Sequence, residues 1–141
     1  MYESLCDSKK HQLVTCARSC IGQSLWKRNA ELIDAPAIVN CYRFVQWLWL
    51  PYGRELPDHL LVWDGAGEVP LSGATAADLI FIARKHRTAQ TDDFGHVGVL
   101  TFEGTVVHAT RWENGVVETP LQTFLSRECL GIRRIKPQLP P

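Results

Sequence analysis

Residues 95–110 read GHVGVLTFEGTVVHAT, and this stretch decides the fold because two apolar segments flank a turn signal. Segments 96–101 and 105–110 are short, rich in β-branched residues and separated by a glycine-containing loop, which predicts a β-hairpin. The hairpin carries two titratable side chains, His96 and His108, twelve positions apart. Their placement relative to each other therefore depends on the register of the hairpin.

The length of the turn decides that register. A two-residue turn would place His96 and His108 on opposite faces of the sheet. A three-residue loop over 102–104, with Gly104 in the left-handed conformation, places both histidines on one face with Gly98 opposite His108. The glycine at the third loop position favours this second register, and we expect Gly98 to leave that face open for an incoming group.

A helix is predicted to begin at Asn40 and to end before Pro51, because asparagine is a good N-cap and a helix usually ends before proline. Its apolar side chains occupy much of its circumference, which predicts burial. Cys41 is then the first helical residue, where unpaired backbone N–H groups and the helix dipole favour a thiolate. The same N–H groups could hold a developing oxyanion. The alternative is a buried, inert cysteine at the start of a core helix.

The rest of the chain predicts helices first and strands later. A helix is expected over 10–21, with Leu13, Ala17 and Ile21 on one stripe and Gly22 as the stop. Further strands are expected over 78–83, 116–117 and 130–135, and Thr119-Pro120 resembles the start of a short helix to Ser126. This order predicts an α+β fold, with N-terminal helices packed on a mostly antiparallel sheet of about five strands.

Length and charge limit the functional classes. We expect residues 1–141 to form a single domain, with a core over about 12–135 and a loosely held tail over 136–141. Fifteen basic and fifteen acidic residues give no electrostatic reason to expect a nucleic acid or an anionic membrane as partner. The N-terminus lacks the pattern of a secretory signal, so we expect a cytoplasmic protein or export by a signal-independent route.

Five cysteines cannot all pair within one chain, so at least one thiol is free. Cys16 and Cys20 lie four positions apart on the first helix and are expected to pack against the core, with a metal site or redox pair as the alternative. A zinc site built from Cys41, His96 and His108 is a further alternative, but the prediction includes no metal or cofactor. The polar segment from 84 to 93 is expected to be a solvated connection that could border a cleft.

Cys41, His96 and His108 supply a nucleophile, a base and a group that orients the base. His96 would accept the thiol proton and later protonate the leaving amine, and His108 would fix the tautomer of His96. This prediction requires the fold to bring the N-terminus of the second helix against the hairpin.

Four blocks of sequence resemble the NlpC-type cysteine peptidases: residues 40–46, 77–81, 95–100 and 107–109. The resemblance covers roughly residues 12–135 and includes the order Cys, His, His. It implies a papain-like fold and cleavage of peptidoglycan stem peptides between γ-D-glutamyl and a diamino acid. It also implies that substrate contacts include Trp26, Asn40, Tyr42 and Gly95.

The sequence departs from that family around the nucleophile. Asn40 and Tyr42 replace the usual aspartate and serine, and Trp26 stands roughly where a tyrosine is expected. Two hypotheses follow. The first is a cysteine peptidase or amidase that cleaves a peptidoglycan stem peptide or a similar peptide through a thioester. The second is a catalytically retired papain-like domain that binds a peptide or a protein.

Overall fold

The computed structural model describes residues 5–83 and 95–136. Its helices are α1 (Asp7–Ser19), α2 (Cys41–Trp49) and α3 (Leu121–Phe124). Its strands are β1 (Leu25–Trp26), β2 (Ile38–Val39), β3 (Ala66–Glu68), β4 (Leu79–Ile82), β5 (His96–Leu100), β6 (Thr105–Thr110), β7 (Gly115–Pro120) and β8 (Cys129–Ile135). The polar connection and the tail predicted from the sequence lie largely outside the described residues.

The strands form one sheet in the order β2-β1-β7-β6-β5-β4-β8-β3. β1 and β2 pair in parallel, and the other pairs are antiparallel. The α+β class is confirmed, but eight strands replace the predicted number of about five. The three strands that the sequence did not predict, β1, β2 and β3, have only two or three residues and so show no alternation of apolar and polar positions.

The hairpin of β5 and β6 has the three-residue register. Leu100 pairs with Val106, and the Thr101 N–H donates to the carbonyl oxygen of Thr105 at 2.9 Å. Gly104 has a φ of 75°, the left-handed conformation that the loop requires. The predicted register is therefore confirmed, and His96 and His108 lie on the same face of the sheet.

Helix α2 packs against β5 and β6, the two strands that carry the histidines. Phe44 and Val45 are fully buried in the main core, and Leu48 is nearly so. A second, smaller core lies under α3 and includes Phe124 and Ile80. Because α2 is held by its apolar side chains along the sheet, its N-terminus has a fixed position relative to the hairpin.

Helix α1 begins and ends earlier than the predicted range of 10–21. It spans Asp7–Ser19, with Cys20 as the C-terminal cap and Gly22 in the left-handed conformation at φ 78°. Ile21 therefore lies outside the helix, is exposed and forms a bridge with Val116, so its predicted place on the buried stripe was wrong. Among residues 5–83 and 95–136, no helix has the length and apolar character needed to cross a bilayer.

Candidate active site

Asn40 caps α2 and sets the position of Cys41. Its side-chain oxygen accepts a hydrogen bond from the Arg43 N–H at 2.7 Å, and its amide nitrogen donates to the Arg28 carbonyl oxygen at 3.0 Å. The predicted start of the helix is therefore confirmed. The first bond caps the N-terminus of α2, and the second ties that terminus to the segment after β1. The first turn of the helix is therefore anchored on both sides.

Cys41 is half-buried and lines a cavity that His96 also lines. Burial is the largest influence on the thiol and raises its pKa. Hydrogen bonds from the backbone of Val97 and Tyr42, together with the charge of Arg127, act in the opposite direction. Burial thus opposes the thiolate that the helix N-terminus is expected to favour.

A chain of hydrogen bonds runs from His96 away from the cavity. Nε2 of His96 lies 2.6 Å from Nδ1 of His108, and Nε2 of His108 lies 2.8 Å from the Thr119 hydroxyl. The Phe124 ring packs edge-on against His108, with centroids 4.9 Å apart. The sequence predicted that Thr119 starts a short helix. It lies instead in β7, and α3 begins only at Leu121.

The hydrogen bonds that link His96 to His108 and His108 to Thr119 indicate the role of each ring nitrogen of His96. Nε2 is occupied by His108, so Nδ1 is the nitrogen left for a group in the cavity. If Nε2–H of His96 donates to Nδ1 of His108, then Nε2–H of His108 donates to Thr119, and Nδ1 of His96 is an acceptor. That tautomer is the one a general base requires.

Both imidazoles are neutral over most of the pH range. Burial, with smaller contributions from His108 and Arg127, lowers the pKa of His96 to about 3. Burial and the charge of Arg127 lower the pKa of His108 to about 4. Desolvation thus favours the uncharged form of both rings, as it favours the uncharged form of the Cys41 thiol.

The cavity has a volume of about 440 Å³ and brings together six of the seven predicted site residues. Its lining comprises Trp26, Arg28, Asn40, Cys41, Tyr42, Gly95, His96, Thr110, Arg111, Trp112 and Arg127. His108 lies behind His96 and lines a second cavity of about 470 Å³, which shares Thr110, Trp112 and Arg127 with the first.

Asn40 and Tyr42 border the cavity, but their polar groups are engaged in the fold. The Asn40 amide makes the two capping bonds, and the Tyr42 hydroxyl donates to the Pro57 carbonyl oxygen. Both residues therefore have structural roles in addition to any contact with a substrate.

Gly98 does not leave the histidine face open, contrary to the prediction. A Cβ at this position would lie 2.3 Å from Val106 Cγ1 and 3.2 Å from Cζ of the Phe124 ring. The glycine is required because β6 and α3 pack closely against it. Beside His96, open space lies on the Cys41 side, in the cavity that both residues line.

The arginines of the cavity were not predicted from the sequence. Arg127 is half-buried, and Arg28 and Arg111 are exposed, with Arg111 stacked over the Trp112 ring at 5.1 Å. These residues come from three separate connections and share no motif, so no local pattern joins them. Thr119 and Phe124 were missed as neighbours of His108 for the same reason.

The other cysteines are placed largely as predicted. Cys16 is half-buried on α1, and Cys20, the C-terminal cap of that helix, is buried and donates from its thiol to the Cys16 carbonyl oxygen at 3.6 Å. Within the described ranges 5–83 and 95–136, no three His, Cys, Asp or Glu side chains are grouped as a metal site would require.

Proteins of known structure share this fold. NlpC1 from Trichomonas vaginalis superposes with a TM-score of 0.74 at 13% identity, over 96% of this chain and 48% of that chain. An NlpC/P60 family protein from Bacillus cereus gives 0.69 at 20% identity, over 94% and 41% of the two chains. The NlpC/p60 domain of the peptidoglycan hydrolase SagA gives 0.63 at 18% identity, over 89% and 97%.

The chain thus has the papain-like fold of the NlpC/P60 proteins. It spans about half the length of NlpC1 and of a second protein, NlpC2 from Trichomonas vaginalis, at 48% and 47%. No protein-family model matches the sequence, and no curated protein matches it significantly.

Proposed function

We propose that this chain is a cysteine hydrolase in which Cys41 is the nucleophile, His96 the general base and His108 the residue that orients His96. The observation that carries the proposal is the 2.6 Å bond between Nε2 of His96 and Nδ1 of His108. It leaves Nδ1 of His96 for the cavity that Cys41 lines at the N-terminus of α2. A nucleophile, a base and an orienting group in this order are typical of acyl-transfer enzymes.

In the first step, the Cys41 sulfur attacks the carbonyl carbon of the scissile amide. The thiol proton passes to Nδ1 of His96 as the C–S bond forms, because burial disfavours a separated thiolate and imidazolium in the empty site. The imidazolium then gives this proton to the amide nitrogen, the C–N bond breaks and the amine leaves. The product on the enzyme is a thioester of Cys41.

In the second step, water attacks the thioester carbonyl while Nδ1 of His96 accepts a proton from it. The C–S bond breaks, the carboxylic acid leaves, and the sulfur recovers its proton from His96. Backbone N–H groups in the first turn of α2 are suited to stabilise the oxyanion of both tetrahedral intermediates. Trp26 borders the same cavity, and its indole N–H is a candidate second donor.

The proposed substrate is a peptidoglycan stem peptide or a similar peptide. Two structural neighbours are named as peptidoglycan hydrolases: SagA and RipB from Mycobacterium tuberculosis. Residues 40–46 and 95–100 resemble the NlpC-type cysteine peptidases, and this resemblance implies cleavage between γ-D-glutamyl and a diamino acid. The three arginines lining the cavity favour a substrate that carries carboxylates, as stem peptides do.

The alternative is a retired papain-like domain that binds a peptide without cleaving it. The specific observation in its favour is that burial raises the Cys41 pKa, which makes the resting thiol a poor nucleophile. The capping role of Asn40 and the engaged Tyr42 hydroxyl agree with either function.

Digestion of purified peptidoglycan and soluble stem peptides, with product masses, separates these functions. We expect new amine and carboxylate termini at one bond with the wild-type chain, and none with Cys41→Ala or His96→Ala. Cys129→Ala is the matched control, because it removes an exposed thiol outside the cavity and should cleave normally. Binding of stem peptide without products, equal in wild type and Cys41→Ala, would support the binding module instead.

A further inference from the structure

A separate cavity of about 220 Å³ lies at the C-terminal end of α2, whereas Cys41 lies at its N-terminal end. The nine residues of this helix separate the two sites by about 12 Å along the axis. The cavity is formed where α1, the end of α2 and the end of β8 meet. Its lining comprises Leu5, Lys9, Trp49, Tyr52, Arg54, Ile135 and Lys136.

Two buried hydrogen-bond donors in this lining have no acceptor. Nε1 of Trp49 and Nη2 of Arg54 are the buried side-chain nitrogens without a partner among the residues that the structure describes. Trp49 is only 3% exposed, and both nitrogens have almost no accessible surface, so a ligand in the cavity reaches them only after the side chains around them shift. Buried donors of this kind are rare in folded proteins, and an ion that accepts from them is one of their explanations.

The charge of the lining also indicates an anion. Lys9, Arg54 and Lys136 contribute three positive charges, and no aspartate or glutamate of the described ranges lines this cavity. Other arginines of the described chain pair with carboxylates: Arg18 with Glu103 and Glu118, Arg43 with Asp58, Arg133 with Glu68 and Arg134 with Asp78. Arg54 differs from them, because burial lowers its pKa and no carboxylate offsets that effect.

We propose that this cavity binds a phosphate group, with Arg54 and the Trp49 indole as hydrogen-bond donors and Lys9 and Lys136 as neutralising charges. A phosphate supplies several acceptor oxygens and up to two negative charges, which suits three cations and two unsatisfied donors. The volume accommodates one such group. Nothing in the proposed hydrolysis uses these residues, so the site is independent of the Cys41 cavity.

Binding should stabilise the fold, because the ligand would join three elements. Lys9 belongs to α1, Trp49 ends α2, and Lys136 follows β8 directly. A ligand that binds the folded state and not the unfolded chain raises the unfolding midpoint, and the rise keeps growing with the logarithm of ligand concentration once that exceeds Kd.

The test uses the full chain and inorganic phosphate as the probe, titrated at constant ionic strength against sodium chloride. We expect a thermal midpoint that rises steadily with phosphate concentration and a saturable shift of one indole N–H signal, assigned with Trp49→Phe. Arg54→Gln should weaken phosphate binding by about tenfold or more, because a charge-assisted pair is lost. Lys27→Gln is the matched control, since it removes an equal charge from an exposed residue outside the cavity.

Phosphate that changes neither the midpoint nor the Trp49 indole signal beyond the chloride control would overturn the proposal. Equal binding by Arg54→Gln and wild type would overturn it as well. If Arg54→Gln does not fold, the Trp49 signal of the wild-type chain decides. Phosphoserine is a second probe in the same titration. If it binds more tightly than inorganic phosphate, the ligand is a phosphate ester; if it binds more weakly, the ligand is the free ion.

Discussion

Nε2 of His96 lies 2.6 Å from Nδ1 of His108, which in turn is held through Nε2 by the Thr119 hydroxyl at 2.8 Å. One nitrogen of His96 and both nitrogens of His108 are therefore engaged before any substrate arrives. The only ring nitrogen of this pair that is left for the cavity is Nδ1 of His96. The orientation of the proposed base is thus a property of the β5–β6–β7 sheet.

We predict that His108 acts by positioning His96 and that asparagine can replace it in part. His108→Ala should lower kcat by about 100-fold or more, because His96 loses the acceptor that fixes its tautomer. His108→Asn retains an amide oxygen that can accept from Nε2–H of His96, so it should recover part of that loss with little change in KM. Steady-state kinetics on a stem peptide provide the measurement. Equal kcat for the alanine and asparagine variants would show that the bond has no positioning role.

The alkylation rate of Cys41 should rise with pH throughout the range from 6 to 9. Burial raises the thiol pKa above its ordinary value of 9.0, so the thiolate fraction increases across this whole range. Iodoacetamide labelling followed by mass mapping of all five thiols provides the rates, with the exposed Cys129 as internal reference. A plateau between pH 5 and 8 would instead indicate a thiolate–imidazolium pair in the resting enzyme.

Stability should fall as the pH is lowered from 6.5 towards 5. The pKa values of His96 and His108 in the folded state, about 3 and about 4, lie below the ordinary value of 6.5. The unfolded chain therefore binds more protons in this window, at up to about 1.4 kcal/mol per pH unit for each ring. Urea unfolding at several pH values gives the slope.

The variant His96→Gln should have a shallower slope than the wild-type chain. His59→Gln changes an exposed ring and is the control. A slope in His96→Gln as steep as that of the wild type would mean that His96 does not contribute to the pH dependence.

Arg127 should make the Cys41 cavity selective for anions. Within residues 5–83 and 95–136 it has no carboxylate partner, and its charge acts on Cys41, His96 and His108. Iodoacetate carries a carboxylate and iodoacetamide does not, yet both alkylate sulfur with loss of iodide. We expect Arg127→Gln to lower the iodoacetate-to-iodoacetamide rate ratio at Cys41 by about tenfold.

Lys27→Gln, the same loss of charge outside the cavity, should leave that ratio near the wild-type value. Using a ratio removes the effect of any change in thiolate fraction, which affects both reagents equally. An unchanged ratio in Arg127→Gln would contradict the assignment of anion selectivity to this residue.

The features that were predicted correctly depend on local sequence. The Asn40 cap, the Pro51 stop and the Gly104 loop are each defined by a few neighbouring residues, and they place Cys41 and both histidines. Trp26 was identified only through the family resemblance, because its two-residue strand has no pattern of its own.

The features that were missed depend on contacts between distant segments. Arg127 reaches the Cys41 cavity from the connection between α3 and β8, and Thr119 meets His108 only because β7 pairs with β6. The burial that raises the pKa of the Cys41 thiol was missed for a related reason. Desolvation depends on what the whole fold packs around the sulfur, whereas the helix N-terminus is visible in the sequence.

The most direct test of the proposed function is whether a substrate acyl group becomes attached to Cys41. Wild-type protein is mixed with stem peptide, quenched in acid within the first turnover and digested for mass spectrometry. We predict a peptide containing Cys41 that gains the mass of the acyl fragment, and no such species with Cys41→Ala. Cleavage of the same bond by Cys41→Ala at the wild-type rate, without any adduct, would contradict the account.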